Sequence, residues 1–191
     1  MNTLDAISAR RSIRRFQDRP LEEEKLQAVL LAATRAPSGK NRQPWRFVVV
    51  RGGTRTEMAR VMKEGIAEAK ARGENPGSSE GSVRVMEQAP VTVFVFHPQG
   101  KPPWLTHSAG EMFDDVVDIQ STGAAIQNML LAARDLGIGS LWICDVFYAY
   151  EKLRDWLGEE GEMIAAVCLG YPDEEPDARP RKPLAEVVRM L

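Results

Sequence analysis

The stretch Arg10-Arg11-Ser12-Ile13-Arg14-Arg15-Phe16 gathers four arginines and a serine into seven residues. A guanidinium is always charged and presents a flat fork of N–H donors, so such a cluster suits a bound phosphate. Clustered arginines also decorate solvated helix ends, where cations lie against the negative end of the helix dipole. Two later stretches bear on that choice. In Ala36-Pro37-Ser38-Gly39-Lys40-Asn41-Arg42-Gln43-Pro44-Trp45-Arg46-Phe47, two prolines fix the chain on either side of short polar residues, which lets those residues be aimed at a ligand. A plain helix-to-strand connection uses the same residue types. Near the C-terminus, Arg179-Pro180-Arg181-Lys182-Pro183 supplies further cations.

In this order and spacing the three stretches resemble the nitroreductase family of FMN-dependent oxidoreductases. That family carries an opening R-x-S-x-R/K tract, a P-S-x-x-N-x-Q-P-W turn and a basic C-terminal R/K-x-R-x-P segment. The resemblance extends from about residue 4 to residue 190. It implies that Arg10 and Ser12 lie near the FMN phosphate or ribityl chain, joined by Arg11, and that Arg179 and Arg181 bind the phosphate. It puts Arg14 at the N1/O2 edge of the flavin ring and leaves Arg15 as a solvated surface charge. Pro37, Ser38, Gly39 and Asn41 fall on a turn that the family contributes from the opposite subunit. Trp142-Ile143-Cys144-Asp145 corresponds to the segment whose backbone runs along the flavin N5/O4 edge. One departure is visible. Family members place an Asn and a basic residue against the pyrimidine edge from the segment before the second strand, and the Gly/Ser-rich stretch here offers no clean match.

The fold implied is α+β, a mostly antiparallel sheet covered by helices in an interlocked homodimer, with FMN sites at the subunit interface. Residues 1–191 form one domain whose segment 171–191 crosses to the partner. The activity implied is transfer of hydride from NADH or NADPH through FMN to a nitroaromatic, quinone or related small-molecule acceptor, in ping-pong fashion. No side chain is required as a catalyst, because the cofactor carries the chemistry. Enone reduction, reductive dehalogenation and a non-catalytic flavin sensor remain alternatives on the same fold.

Composition narrows the classes. The 191 residues fit one domain, with 43% hydrophobic and 27% charged residues as in ordinary globular chains. Acidic residues number 27 against 25 basic, a net charge of −2, so the arginines suit a small local anion rather than nucleic acid. The N-terminus has no apolar run of a signal or anchor, and the longest uncharged stretch, Ile119 to Ala133, is too short for a membrane span. Cys144 and Cys168 sit in apolar segments and are expected as buried strand thiols, which fits a reducing cytoplasm. No Cys/His spacing suggests a metal site.

These motifs need elements to hold them. Thr3 is expected to cap a first helix, and Leu26, Val29, Leu30 and Ala33 give helical spacing over roughly Leu21 to Arg35. Phe47 to Val50 reads as a buried strand. Thr54-Arg55-Thr56-Glu57 reads as a capping box opening a helix to about Arg72. Gly73 to Ser82 reads as a flexible loop, Val83 to Gln88 as a short helix and Val91 to Phe96 as a strand. Pro98 to Phe113 reads as irregular, before a long helix from Asp114 to Leu136 that stops at Gly137. Strands at Ser140–Ile143 and Met163–Leu169 flank a helix at Tyr150–Leu157. Gly123, Ala124 and Ala125 suit either a dimer-core helix or ordinary packing. Trp45 reads as core, His107 as a surface or structural residue rather than an acid/base, and Trp104, Phe113, Phe147 and Tyr148 as pocket wall or core.

Overall fold

The computed structural model describes residues 2–191. In chain order, α1 (Thr3–Ala9) and α2 (Glu23–Thr34) precede a 3-10 turn at Gly39–Asn41 and strand β1 (Arg46–Arg51). Two helices follow, α3 (Thr54–Ala71) and α4 (Ser79–Gln88), then β2 (Val91–His97) and the long α5 (Ala109–Asp135). The chain closes with β3 (Gly139–Ile143), a 3-10 turn at Asp145–Ala149, α6 (Tyr150–Leu157), β4 (Glu162–Gly170) and a single turn, α7 (Leu184–Val187). The four strands form one sheet in the order β1-β2-β4-β3, every neighbouring pair antiparallel.

Alternation along the central strands builds a three-layer α+β domain. Phe94 and Phe96 of β2, with Ala166 and Cys168 of β4, face a core shared with Met58, Met62, Val83, Met86 and Leu153 of α3, α4 and α6. Val91, Val93 and Val95, with Val167 and Leu169, face Leu26, Val29, Ile126 and Met129 of α2 and α5. Both faces of β2 and β4 are thereby dry, which explains their unbroken apolar runs. β1 is an edge strand, and of Phe47 to Val50 only Val50 is fully buried.

Several local expectations change. Asn2, not Thr3, caps α1, its Oδ1 accepting from the Asp5 N–H at 2.9 Å. Thr54–Glu57 makes no capping box: Thr54 Oγ1 donates to the Arg51 carbonyl, and Glu57 is held by Arg60 instead. The capping box of this chain is Ser108 with Glu111, which starts α5 at Ala109 and shortens the irregular segment before it. Helix α4 begins at Ser79, inside the stretch read as loop, because Val83, Val85 and Met86 bury one face of it. Cys168 is buried in β4, but Cys144 lies beyond the end of β3 and is exposed, correcting its assignment as a buried strand thiol. Trp45 packs half-buried against the α2/α5 core. No helix among the described residues is long and apolar enough to cross a membrane.

Candidate functional site

The arginine tract begins at the C-cap of α1, where Arg11 donates back to the Ser8 carbonyl, and then runs on as extended chain. Helix α1 stops at Ala9, and Arg10 is already extended, with φ −61° and ψ 133°. From there the chain is stitched on two sides. Ile13 N–H donates to the Ser140 carbonyl at 2.9 Å beside β3, and Gln17 N–H donates to the Tyr171 carbonyl at 2.9 Å. Asp173 N–H returns a bond to the Arg15 carbonyl, also 2.9 Å. Ile13 and Phe16 point into the core, so the residues between them are turned outward.

Turned outward, they meet the C-terminal segment. Arg10, Arg11, Ser12 and Arg14 line a cavity of about 470 Å³ whose far wall is Pro176 to Arg179 and Arg181. Arg14 and Arg179 also line a second, adjoining cavity of about 750 Å³. Its floor is Leu141 to Asp145, and so includes Trp142, Ile143, Cys144 and Asp145, and its opposite wall is α4. The sequence-expected residues of the first and third motifs, and those at the end of β3, thus gather in one continuous depression. Pro37, Ser38, Gly39 and Asn41 do not line either cavity of this chain. Their turn lies against α5, where the Gly39 N–H donates to Ser121 Oγ at 3.2 Å and a Cβ on Gly39 would come within 2.4 Å of Val117.

The depression is predominantly positive: Asp177 and Asp145 are the carboxylates that line it, against seven arginines. Arg11 donates to the carbonyls of Ser8 and Arg10, Arg14 to that of Ser12, and Arg181 to those of Arg179 and Pro180. The guanidiniums of Arg10 and Arg179 make no hydrogen bond among the described residues. None of the five guanidiniums has a carboxylate partner there, although the Arg14 backbone N–H donates to Glu174 Oε1. Arg15 differs: its Nε stands 3.4 Å from Glu174 Oε2, on the rim of the second cavity. Clustered guanidiniums without an ion-paired carboxylate suit an anion.

The α4 wall was not foreseen. It presents Ser78, Gly81, Ser82 and Arg84 to the second cavity, so a basic residue does stand before the second strand, where none seemed to match. The serines fix this wall to the floor, since Ser78 Oγ and Ser82 Oγ both donate to Asp145 Oδ2, at 3.1 and 2.5 Å. The i, i+4 spacing of the two serines was the available signal. Cys144 stands beside them. Although the residue is exposed, loss of water around its sulphur, then the Asp145 charge, push its thiol pKa up.

Trp104, Phe147 and Tyr148 line a separate cavity of about 290 Å³, with Trp104 edge-on to Tyr150 at 4.7 Å. Phe113 is exposed on α5. His107 is structural, its Nε2 3.2 Å from Asp115 and its Nδ1 2.6 Å from the Leu105 carbonyl.

Comparison with known proteins finds relatives by sequence and by fold. A model of the nitroreductase family matches residues 7–171. A relative from Archaeoglobus fulgidus, named for NADH dehydrogenase and NAD(P)H nitroreductase activity, is 35% identical over 179 residues, covering 91% of this chain and 87% of its own. A nitroreductase-named protein from Desulfovibrio desulfuricans, solved in complex with FMN, superposes with a TM-score of 0.77 at 29% identity, over 100% of this chain and 97% of that one. The NADPH:FMN oxidoreductase of Vibrio harveyi, solved with NAD+, gives 0.76 at 25% identity, over 100% of this chain and 77% of that one.

Proposed function

Because the chain belongs to the nitroreductase family, we propose that it is an FMN-dependent oxidoreductase that draws on NADH or NADPH. Its acceptors are nitroaromatics, quinones or related molecules, reduced in a ping-pong sequence. The observation that carries this reading is the set of five arginines gathered around one depression without carboxylate partners. A phosphate monoester brings roughly −1.5 to −2 charge at neutral pH, the complement such a set lacks. When bound, FMN supplies hydride acceptance and donation; every other contribution is the chain's.

In this reading Arg10, Arg179 and Arg181, with Ser12 and Arg11, hold the phosphate. Arg14, at the junction of the two cavities, meets the N1/O2 edge of the ring, and Arg84 stands on the wall across from it. The backbone of Trp142 to Asp145 orients the N5 edge, and the Ser78–Asp145–Ser82 tie keeps floor and wall at a fixed separation. No His/Glu pair lines the depression, consistent with protons that come from water rather than from a catalytic side chain.

The reading includes a homodimer. Pro37, Ser38, Gly39 and Asn41 would serve the second copy's site, since they reach neither cavity of their own chain. Residues 171–181 pack on the arginine tract of their own chain, so only the end of the segment 171–191 would reach across to the partner. In support, Leu184, Val187 and Met190 are 72%, 61% and 88% exposed, an apolar set that a single chain leaves uncovered.

Purification tests all of this. The protein is expected to be yellow and dimeric by light scattering, with one FMN per chain, and NADH or NADPH added under nitrogen should bleach it. A flavin that stays oxidised with both nicotinamides would make the protein a binder rather than an enzyme. A monomer retaining stoichiometric FMN would overturn the shared site, and intersecting double-reciprocal plots the ping-pong order.

A further inference from the structure

A second group of ionisable residues lies where β2 ends and β4 begins. His97 and Glu162 face each other across those strands and are 3% and 6% exposed. Each leaves one buried polar atom without a partner among the described residues, Nδ1 of His97 and Oε2 of Glu162. The two atoms converge over Gly100, where a Cβ would stand 2.3 Å from Nδ1 and 2.9 Å from Oε2. On the far side of the ring, Nε2 lies 3.4 Å from Asp118 Oδ2, while Asp118 Oδ1 accepts from Arg42 Nε and Nη2 at 3.0 Å each. Arg42 in turn anchors a strained turn: Lys40, Asn41 and Gln43 have φ of 52°, 55° and 51°, a conformation that side chains rarely adopt unless their surroundings enforce it.

We propose that Glu162 and His97 form a one-proton switch that sets how Asp118 holds Arg42, and through Arg42 the turn Lys40–Gln43. A neutral imidazole has a single N–H. With Glu162 protonated, a small side-chain rotation lets its hydroxyl donate to Nδ1, and the ring proton stays on Nε2, facing Asp118. When Glu162 loses its proton to solvent, the buried carboxylate draws the ring proton to Nδ1. Nε2 then turns a lone pair toward Asp118, which is left to Arg42 alone. An imidazolium would satisfy both carboxylates, but burial lowers the His97 pKa, against the opposing pull of Asp118 and Asp115.

The surrounding charges place the switch near neutrality. Asp114, Asp115, Asp118 and Glu111 face the cluster from α5, Arg42 from the turn, Lys101 and His107 from the loop after β2, and Tyr150 from α6. Burial first, then the Asp115 charge, hold the Glu162 carboxyl up at about 7, with His107 pulling the other way.

With two histidines in the chain, imidazole 15N shifts read the tautomer directly once His107→Gln has identified the His97 signal. Wild-type His97 is expected to pass from the Nε2–H to the Nδ1–H form between pH 5.5 and 8.5, and Glu162→Gln to show no transition. A single His97 tautomer across that range in the wild type overturns the switch, and this measurement needs no variant at Glu162 to fold. A second arm rests on the oxidoreductase reading: the ratio of wild-type to Glu162→Gln Kd for FMN should rise three- to tenfold over the same range. A tautomer change with a flat ratio overturns the coupling to the turn. Failure to bind FMN at any pH overturns the oxidoreductase reading, while the tautomer titration still decides the switch.

Discussion

Two regions of this molecule are rich in arginine and carboxylate neighbours, and they treat charge in opposite ways. At the turn after α2, Arg42 lies between Asp114 and Asp118, its guanidinium pKa raised by hydrogen bonds to Asp118 first, and Asp118 also meets His97. That region is neutralised by its own fold. In the depression between the Arg10–Arg15 tract and the C-terminal segment, Arg10, Arg11, Arg14, Arg179 and Arg181 line one cavity with Asp177, and their guanidiniums make no hydrogen bonds other than to backbone carbonyls among the described residues. The polypeptide completes the first region and leaves the second for a ligand. A charge count would not separate them; the presence or absence of a partner does.

The sharpest way to break the contrast is to remove one member of each set. Arg10→Ala and Arg181→Ala are each expected to weaken FMN binding by roughly 10- to 100-fold, since a hydrogen bond to a charged group contributes about 1.5–3 kcal/mol and each 1.4 kcal/mol is about tenfold. Stability of the flavin-free protein should scarcely fall, because the Arg10 guanidinium has no internal partner to lose and Arg181 loses only exposed bonds to the Arg179 and Pro180 carbonyls. Arg15→Ala, from the same tract but paired with Glu174, should leave affinity within about twofold. Flavin titration by fluorescence quenching checks all three, and an Arg15 effect as large as that of Arg10 would refute the division of the tract.

Asp118→Ala addresses the neutralised region and should have the reverse profile. It leaves the buried His97 Nε2 without its partner, a loss of about 1–3 kcal/mol. For a chain of this size that lowers Tm by roughly 2–10 °C in thermal denaturation. Its flavin affinity at fixed pH should change less than that of Arg10→Ala.

How far such distinctions were legible before the fold was known depends on how local their cause is. Helices α2, α5 and α6 and the central strands follow from periodicity and from stops such as Gly137, whose φ of 73° ends α5. The strand order β1-β2-β4-β3 does not, because it depends on pairings distant in the chain. Thr54–Glu57 and Ser108–Glu111 share one capping pattern, yet only the second forms a box; Arg60, a turn further along, claims Glu57. The arginine tract was readable by residue type, and Arg15 could be set apart from its neighbours. Arg84 was not readable, because the stretch before it looked like loop until the burial of Val83 and Met86 made it helix. Nor did the apolar neighbours of Cys144 reveal that the strand ends one residue earlier.

A pH series sharpens the view of the neutralised region. Glu162 has a folded pKa near 7 against an ordinary value of 4.5, so the folded state binds more protons than the unfolded one between those limits. Its contribution is therefore fully favourable below about 4.5 and is lost as pH rises toward 7. His97, held neutral by burial, has the opposite sign: its cost appears as pH falls below the ordinary histidine value of 6.5. Glu162→Gln removes the first effect and retains the second. The difference in Tm between Glu162→Gln and wild type should thus grow by a few degrees from pH 5 to pH 8. A difference that is constant with pH would mean that Glu162 is ionised throughout.

The smallest expected effect lies inside the uncompensated region, at Arg14, and it separates ring from phosphate. Arg14 lines both cavities, whereas Arg10 lines only the one that faces the C-terminal segment. Two-electron reduction places negative charge at the N1/O2 edge of the flavin, so a fixed cation there stabilises the reduced form more than the oxidised one. At about 4 Å and an effective dielectric near 20 the Coulomb interaction is at most ~4 kcal/mol. For a two-electron couple about 30 mV corresponds to 1.4 kcal/mol, which puts the ceiling near ~90 mV. Arg14 is exposed, and water reduces that ceiling. Arg14→Met should therefore lower the flavin midpoint potential by some tens of millivolts and slow its reduction by the nicotinamide, with FMN still bound. Loss of flavin at an unchanged potential would instead make Arg14 one more phosphate ligand. No change in either would remove it from the site.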